Sequence, residues 1–380
     1  MFRGKMVALV MLCVSTFLMI GCGSSDSGAR NTRLAQKHDD ANVLNLFIWS
    51  DYLAPDTIAS FEKLTGVKVR VSYYDTNETL ETRMLTGNSG FDVAVPSAAY
   101  FQRQIRSGAY LPIDKTLLPN LANLDPKLMS RAALYDPGNA YGVVHSWGTF
   151  GIGYNEKMAA QALHDVPIKS WRLIFDPVFA AKLAPCGINI LDNSAAVVRL
   201  VFIYLGRNPN APSPQDLADV EAVLAKIRPY IRNIDSGNYI EALANGDICI
   251  VLGYNGDVVQ ARNRAREAQN GIQIDYVIPD EGSLFWFTML AVPRDAPHVA
   301  NAHLFINYLI NPQVLAHISN STGFANANSA ALPLLDASIA SDPAIYPTPE
   351  QRQRLFVQLE DSPGQLRAIT RIWQKFKTGQ

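Results

Sequence analysis

The sequence predicts an α/β protein of two domains, and three observations carry that prediction. The chain has 380 residues, too many for one compact core and suited to roughly two domains of ~100–200 residues each. Segments with strand and helix periodicity take turns along it, which implies a parallel or mixed sheet flanked by helices. Several strand segments finish in aromatic, hydroxyl and acidic residues, and in open α/β sheets ligands sit beyond the carboxyl ends of the strands.

The elements follow in order. "NVLNLFIW" reads as a buried strand, and "PDTIASFEKLTG" as a helix with Pro55 at an early position and Gly66 as its stop. "VKVRVSYY" alternates as a strand does. Asn77 is placed as the N-cap of "ETLETRMLTG", and "FDVAVPS" is a further buried strand ending at Pro96. Later come the helix "PQDLADVEAVLAKIRP", the strand "DICIVLGY", the helix "DVVQARNRAREA" and the strands "IDYVIP" and "WFTMLAVP". A helical tail, "GQLRAITRIWQKFKTG", closes the chain, and no internal repeat is visible.

With 48% hydrophobic and 18% charged residues the chain reads as globular. A net charge of −1, with Lys and Arg scattered, provides no field to gather phosphate, so no nucleic-acid partner is expected. Arg3 and Lys5 precede an apolar run from Met6 to Ile20, too short for the ~20 residues that span a bilayer, so it reads as a signal-peptide core. It ends in "LMIGCGSS", which resembles the lipobox of bacterial lipoproteins with Cys22 as the lipidated residue, although Met19 stands where leucine is usual. Ordinary cleavage between Gly21 and Ser25 is the other reading. Residues 23–41, rich in Ser, Gly, Asp and Arg, suit a flexible tether. Export leaves Cys186 and Cys249 as the pair in the folded body. They are expected to bridge in an oxidising compartment, two buried free thiols being the alternative.

Three strand ends carry the same chemistry: Trp49 to Tyr52 after the first, Ser97 after "VAVPS", and Tyr254 with Asp257 in "IVLGYNGD". A fourth strand, "SLFWFTML", has Trp286 within it. Aromatic faces attract ammonium groups by ~0.5–2 kcal/mol, and buried carboxylates fix the charge, so the set suggests a cleft for a cationic, partly apolar molecule. Any one of these rings alone is better explained as packing.

"WSDYLAPDTIASFEKLTGVKV", "GFDVAVPSA", "GIGYN", "ALANGDICI", "GYNGDVVQA", "INYLINPQVLAHIS" and "GFANANSAA" together resemble the periplasmic putrescine- and spermidine-binding proteins of bacterial ABC transporters, from about Val43 to Gly379. The resemblance implies a two-lobed periplasmic binding protein (type II) fold, two α/β lobes joined by a hinge with the ligand cleft between them. It divides the chain into a signal peptide (1–21), a tether (22–41), a first lobe (42–146 with 276–312) and a second lobe (147–275 with 313–380), with hinge crossings near Ser146 and Tyr276. It assigns ring contacts with the ligand to Trp49, Tyr254 and Trp286, polar contacts to Ser50, Asp51, Tyr52 and Ser97, and the amine-holding acid to Asp257. Tyr254 stands where the putrescine binders have tryptophan, and Phe324 where a tyrosine often lies. The bridge between Cys186 and Cys249 is also implied. Its implied partners are a small cationic ligand and an ABC permease in the inner membrane, with membrane contact only through the lipid anchor, and the protein is expected to be a monomer.

Two departures touch the ligand. Ala196, with Ala195 beside it, occupies the family's glutamate position, and Thr288 its cleft aspartate position, so two amine-binding carboxylates are missing unless a nearby acid such as Asp192 replaces them. No nucleophile elbow, His-Glu-x-x-His or phosphate loop is present, and His38, His145, His164, His298, His303 and His317 show no ligand spacing on one helix face. No enzyme, cofactor or metal is expected. Transport binding is the leading function. A periplasmic sensor with the same cleft and a binder of a mono-amine or amino-acid-like ligand are the alternatives, and a structural lipoprotein would not need the cleft.

Overall fold

The computed structural model describes residues 42–164 and 166–379. The signal peptide, Cys22 and the whole of the tether lie outside the described residues, and among those described no helix is long and apolar enough to cross a membrane. Twelve strands form among them: β1 Val43–Trp49, β2 Lys68–Tyr74, β3 Val93–Ala94, β4 Tyr110–Leu111, β5 Gly142–Asn155, β6 Ile188–Ile190, β7 Asn233–Ile234, β8 Ile250–Tyr254, β9 Ile274–Val277, β10 Ser283–Pro293, β11 Ala325–Asn326 and β12 Leu355–Val357. The main path runs β2-β1-β3-β10-β5-β8-β6-β7.

β5 decides the architecture. Its first half, to Thr149, pairs antiparallel with β10, and its second half, from Phe150, pairs with β8 and β9. One strand therefore belongs to two sheets. The first contains β1, β2, β3 and β10, and the second β6, β7, β8 and β9. Glycines in β5 make room for rings from neighbouring strands: a Cβ on Gly148 would come 2.4 Å from the Trp286 indole, and one on Gly151 would come 2.3 Å from the Tyr276 ring.

The parallel pair β1–β2 runs in register from Val43↔Lys68 to Trp49↔Tyr74. Leu44, Leu46 and Ile48 in β1 are fully buried, each worth about 1.5–3 kcal/mol of transfer free energy. The helix Thr57–Thr65 ends at Gly66, whose left-handed φ of 75° lets the chain turn at once into β2. The cap of the helix Asn77–Leu85 is Thr76 and not Asn77: Thr76 is extended and accepts from the Thr79 amide, while Asn77 is already helical. "FDVAVPS" contributes only the two residues of β3 as strand. The tail helix Pro363–Thr378, opened by a Ser362/Gln365 capping box, buries Ile369, Ile372, Trp373 and Phe376.

Cys186 and Cys249 are bridged, their Cα atoms 5.4 Å apart. Each lies just before its strand, β6 or β8, and those two strands are parallel neighbours, so the sheet brings the cysteines together. Closing a 63-residue separation stabilises the fold by roughly 2–4 kcal/mol.

Candidate functional site

The end of β1 is pinned before it turns. The Trp49 indole N–H donates to the Val95 carbonyl at 3.0 Å, and its ring lies 4.5 Å from Tyr74. Asp51 then takes φ 58°, a left-handed conformation that Asp tolerates better than most residues. That turn leaves Ser50 and Asp51 exposed and brings Tyr52 back toward the protein. The Tyr52 ring packs 4.7 Å from Phe324, Phe324 meets Trp286 edge-on at 5.5 Å, and Trp286 meets Tyr254 edge-on at 6.1 Å. Four rings from four parts of the chain thus form one continuous wall. Phe324 lies directly on Gly256, where any Cβ would overlap its ring at 1.8 Å, so the glycine of "YNGD" is required by the packing.

Beside this wall is an acid. Asp257 is half-buried in the first turn of the helix Asn255–Glu267, and its Oδ2 accepts from the Tyr239 hydroxyl at 2.6 Å. Burial pushes the Asp257 carboxyl up to about 6, the Asp51 charge acting the same way while Tyr239 and Arg264 oppose it. Tyr52 and Tyr254 both ionise harder than a free tyrosine, first through burial and then through the Asp257 charge; Tyr254 is pushed up to about 12. Asp257 and both rings therefore share one electrostatic neighbourhood. The Tyr254 hydroxyl also accepts from Asn193 Nδ2 at 3.1 Å. Arg264 reaches across to Asp51 at 3.8 Å and pairs with Glu241.

On the Ser97 side the acid is Glu78, which accepts from the Tyr100 hydroxyl at 2.8 Å and whose charge helps to raise Tyr254, while Thr288 and Ala196 supply no carboxylate. Ser97 opens the helix Ala98–Arg106 without capping it and bridges Thr288 through the backbone. The Thr288 hydroxyl is buried against Ser146 at 2.7 Å. Ala196 is fully buried in the first turn of the helix Ser194–Tyr204, where its amide donates to Asn193 Oδ1. Asp192 does not substitute for the missing carboxylates: it accepts from the Trp373 indole at 2.9 Å and from Lys377 at 2.6 Å, on the tail helix.

The structure thus gathers Trp49, Asp51, Tyr52, Tyr254, Asp257, Trp286 and Phe324 around one wall, with Ser97 and Thr288 joined to each other beside Ser146. Ser50 is exposed at the turn. Three residues to which the sequence pattern assigns no role take part. Tyr239 supports the acid, His145 lies behind the rings, and Arg264 links the acidic helix to the β1 turn. Arg264 had a signal, since positions 257 and 264 are seven apart and share a helix face.

A family model described as bacterial extracellular solute-binding protein matches residues 56–348. The chain is 43% identical to the putrescine-binding periplasmic protein PotF of Escherichia coli K12 over 343 residues, 90% of this chain and 93% of that protein. It is equally similar, over the same shares, to the putrescine-binding periplasmic protein SpuD of Pseudomonas aeruginosa. Among solved structures, the spermidine/putrescine ABC transporter substrate-binding protein PotD of Streptococcus pneumoniae superposes with a TM-score of 0.76 at 24% identity, covering 89% of this chain and 99% of that one. The chain belongs to the bacterial extracellular solute-binding proteins, which bind solutes and do not transform them, and its fold is their two-lobed α/β type.

Proposed function

We propose that this solute-binding protein captures a cation of the polyamine class between its two lobes in the periplasm and delivers it to an ABC permease in the inner membrane. The observation that carries the reading is Asp257, a half-buried carboxylate held by Tyr239 beside a wall built from Tyr52, Phe324, Trp286 and Tyr254. A carboxylate there costs desolvation until an ammonium offsets it, and ring faces and edges accommodate the methylene chain and add cation–π attraction. Trp49, Ser50 and Ser97 complete the first-lobe side in this reading. The putrescine specificity that PotF and SpuD are named for is the reason to begin with diamines.

The lobes follow the two sheets. In this reading residues 42–149 with 276–312 form the first and 150–275 with much of 335–380 the second. Residues 313–334 ride with the first, because β11 bonds β5 at Ser146 and Trp147 and Asn328 bonds back to Leu124 and Ile310. The hinge lies in β5 where pairing passes from β10 to β8, near Thr149, and in the return from β9 to β10. The protein acts as a monomer, tethered to the membrane by a lipid on Cys22. Calorimetry of the mature protein with putrescine, spermidine, glutamate and succinate tests the reading. Saturable binding of at least one polyamine at about micromolar Kd or tighter is expected; binding of the anions and no amine overturns it.

A further inference from the structure

The strand that joins the two sheets is irregular beside the cleft. Thr288 of β10 faces Ser146 of β5, yet the next residue, Met289, faces Val144. His145 is therefore the extra residue of a β-bulge. In a regular strand His145 and Ser146 would point to opposite faces, whereas here both line one pocket. That pocket is bounded by Tyr52 and Phe324, two rings of the wall, and by one face of the helix Pro312–Thr322. With the rings where they stand it is too narrow to seat a water molecule.

His145 is 1% exposed and neither ring nitrogen has a hydrogen-bond partner. Its neighbours are different. Ser146 bonds Thr288, Asn326 donates to Ser319, and Thr322 donates to the Ile318 carbonyl. The imidazole is the one polar side chain in the lining recorded as buried and unsatisfied, and a group left so costs about 1–3 kcal/mol. No carboxylate lines the pocket. Burial also holds the ring neutral, its pKa pushed down to about 4.

A neutral imidazole offers one donor and one acceptor and no charge. An ammonium arriving here would lose its water and find no counter-charge. A carboxamide fits better: it can give its N–H to the free lone pair or take the ring N–H, with Ser146, which lines the same space, beside its other half. We propose that the pocket behind Tyr52 and Phe324 is the far subsite of the cleft and that His145 there selects a neutral, amide-bearing end, the ligand class being a singly N-acylated diamine with its free ammonium at Asp257. The occupant enters by swinging the Phe324 or Tyr52 ring aside. This inference rests on the polyamine reading above and narrows it.

The test is calorimetry of the mature protein with putrescine, spermidine and N-acetylputrescine, repeated on His145→Phe, together with ¹⁵N resonances of the His145 ring in the native protein. N-acetylputrescine is expected to bind about tenfold tighter than putrescine, a difference of about 1.4 kcal/mol. His145→Phe should abolish that preference, and the ring resonances should move with the acylated compound and not with putrescine. If His145→Phe does not fold, the resonances of the native protein decide alone. Putrescine or spermidine binding tighter than the acylated compound, or a His145 ring that does not respond to it, overturns this inference and leaves the polyamine reading standing. Failure of all three amines to bind removes both.

Discussion

The two ends of the cleft each bury a titratable group, and the two groups have opposite chemistry. At the Asp257 end an acid is taken partly out of water and given a hydroxyl donor, Tyr239, at 2.6 Å. At the His145 end a base is taken wholly out of water and given nothing, while the neighbouring hydroxyls of Ser146 and Thr288 satisfy each other. Burial penalises the charged form in both places, so it raises the carboxyl to about 6 and lowers the imidazole to about 4. One end is left demanding a cation and the other refusing one. Asymmetry of this kind selects a ligand by its two ends, where a pair of acids would select only by the distance between two charges.

The largest effect should come from removing the charged end. Asp257→Ala deletes the acceptor for Tyr239 and the counter-charge for the ligand, and truncating one member of a buried charge pair costs about 2–5 kcal/mol. Calorimetry should show amine affinity reduced at least ~30-fold. An affinity unchanged within threefold would place the amine elsewhere in the wall.

Titration sharpens the comparison without touching shape. In the unliganded protein Asp257 holds its proton more tightly when folded, so its contribution to stability is present at low pH and lost as pH rises from 3.8 toward about 6. His145 holds its proton less tightly when folded, so its contribution is complete above 6.5 and lost as pH falls from there toward about 4. The two slopes oppose each other and partly cancel in the native protein. Denaturant melts between pH 4.5 and 7 should uncover each by substitution: Asp257→Asn leaves stability rising with pH, and His145→Phe leaves it falling, by on the order of 1–3 kcal/mol across the range. Amine binding should weaken below pH 6 as Asp257 takes up its proton.

Thr288→Asp would break the asymmetry directly by placing a carboxylate at the neutral end. Unliganded, that acid is buried with only Ser146 to donate to it, so the melting temperature should drop. Putrescine, which has an ammonium for each end, should restore it and bind about tenfold tighter than to the native protein. No gain in putrescine affinity would show that Thr288 does not face the ligand.

Much of the acidic end was legible in the sequence, because Trp49, Tyr52, Tyr254 and Asp257 stand at or just after strand ends, where apolar runs break into polar and aromatic residues. The neutral end was far less so. β5 has no legible strand pattern: "GVVHSWGTFGIGYN" carries four glycines and four polar side chains, and the reason for two of the glycines, Gly148 and Gly151, is room for the Trp286 and Tyr276 rings, which exists only once β9 and β10 are beside it. The bulge at His145 is equally invisible, since it is a property of the pairing of two strands 140 residues apart and not of either strand alone. The same limit applies to Asp192, which stands next to the departure at Ala196 in sequence and is drawn away to Trp373 and Lys377 by the tail helix. Local pattern locates the residues that end strands, and only tertiary pairing shows which of them face one another.

The smallest effect belongs to the contact that closes over the charged end. Arg264 approaches Asp51 at 3.8 Å, and with side chains 36% and 65% exposed the pair is largely solvated; exposed pairs of this kind contribute about 0–1 kcal/mol. Arg264 is also shared with Glu241, which dilutes its hold on Asp51. Its position still gives it a role that its energy does not suggest. Asp51 sits on the turn after β1 and Arg264 on the helix Asn255–Glu267 that carries Asp257, so the contact ties the first-sheet side of the wall to the second-sheet side, and it forms only when the two are close. Arg264→Ala should therefore leave the association rate of the amine nearly unchanged and raise its dissociation rate by about two- to fivefold. Salt should mimic the substitution, since a solvated pair is screened at a Debye length of about 8 Å at physiological ionic strength and about 3 Å at 1 M. Stopped-flow tryptophan fluorescence at low and high salt separates the outcomes: the native protein should lose its slow release in 1 M salt and the Arg264→Ala protein should have none to lose. Equal salt sensitivity in both would show that closure over Asp257 is held by the rings alone.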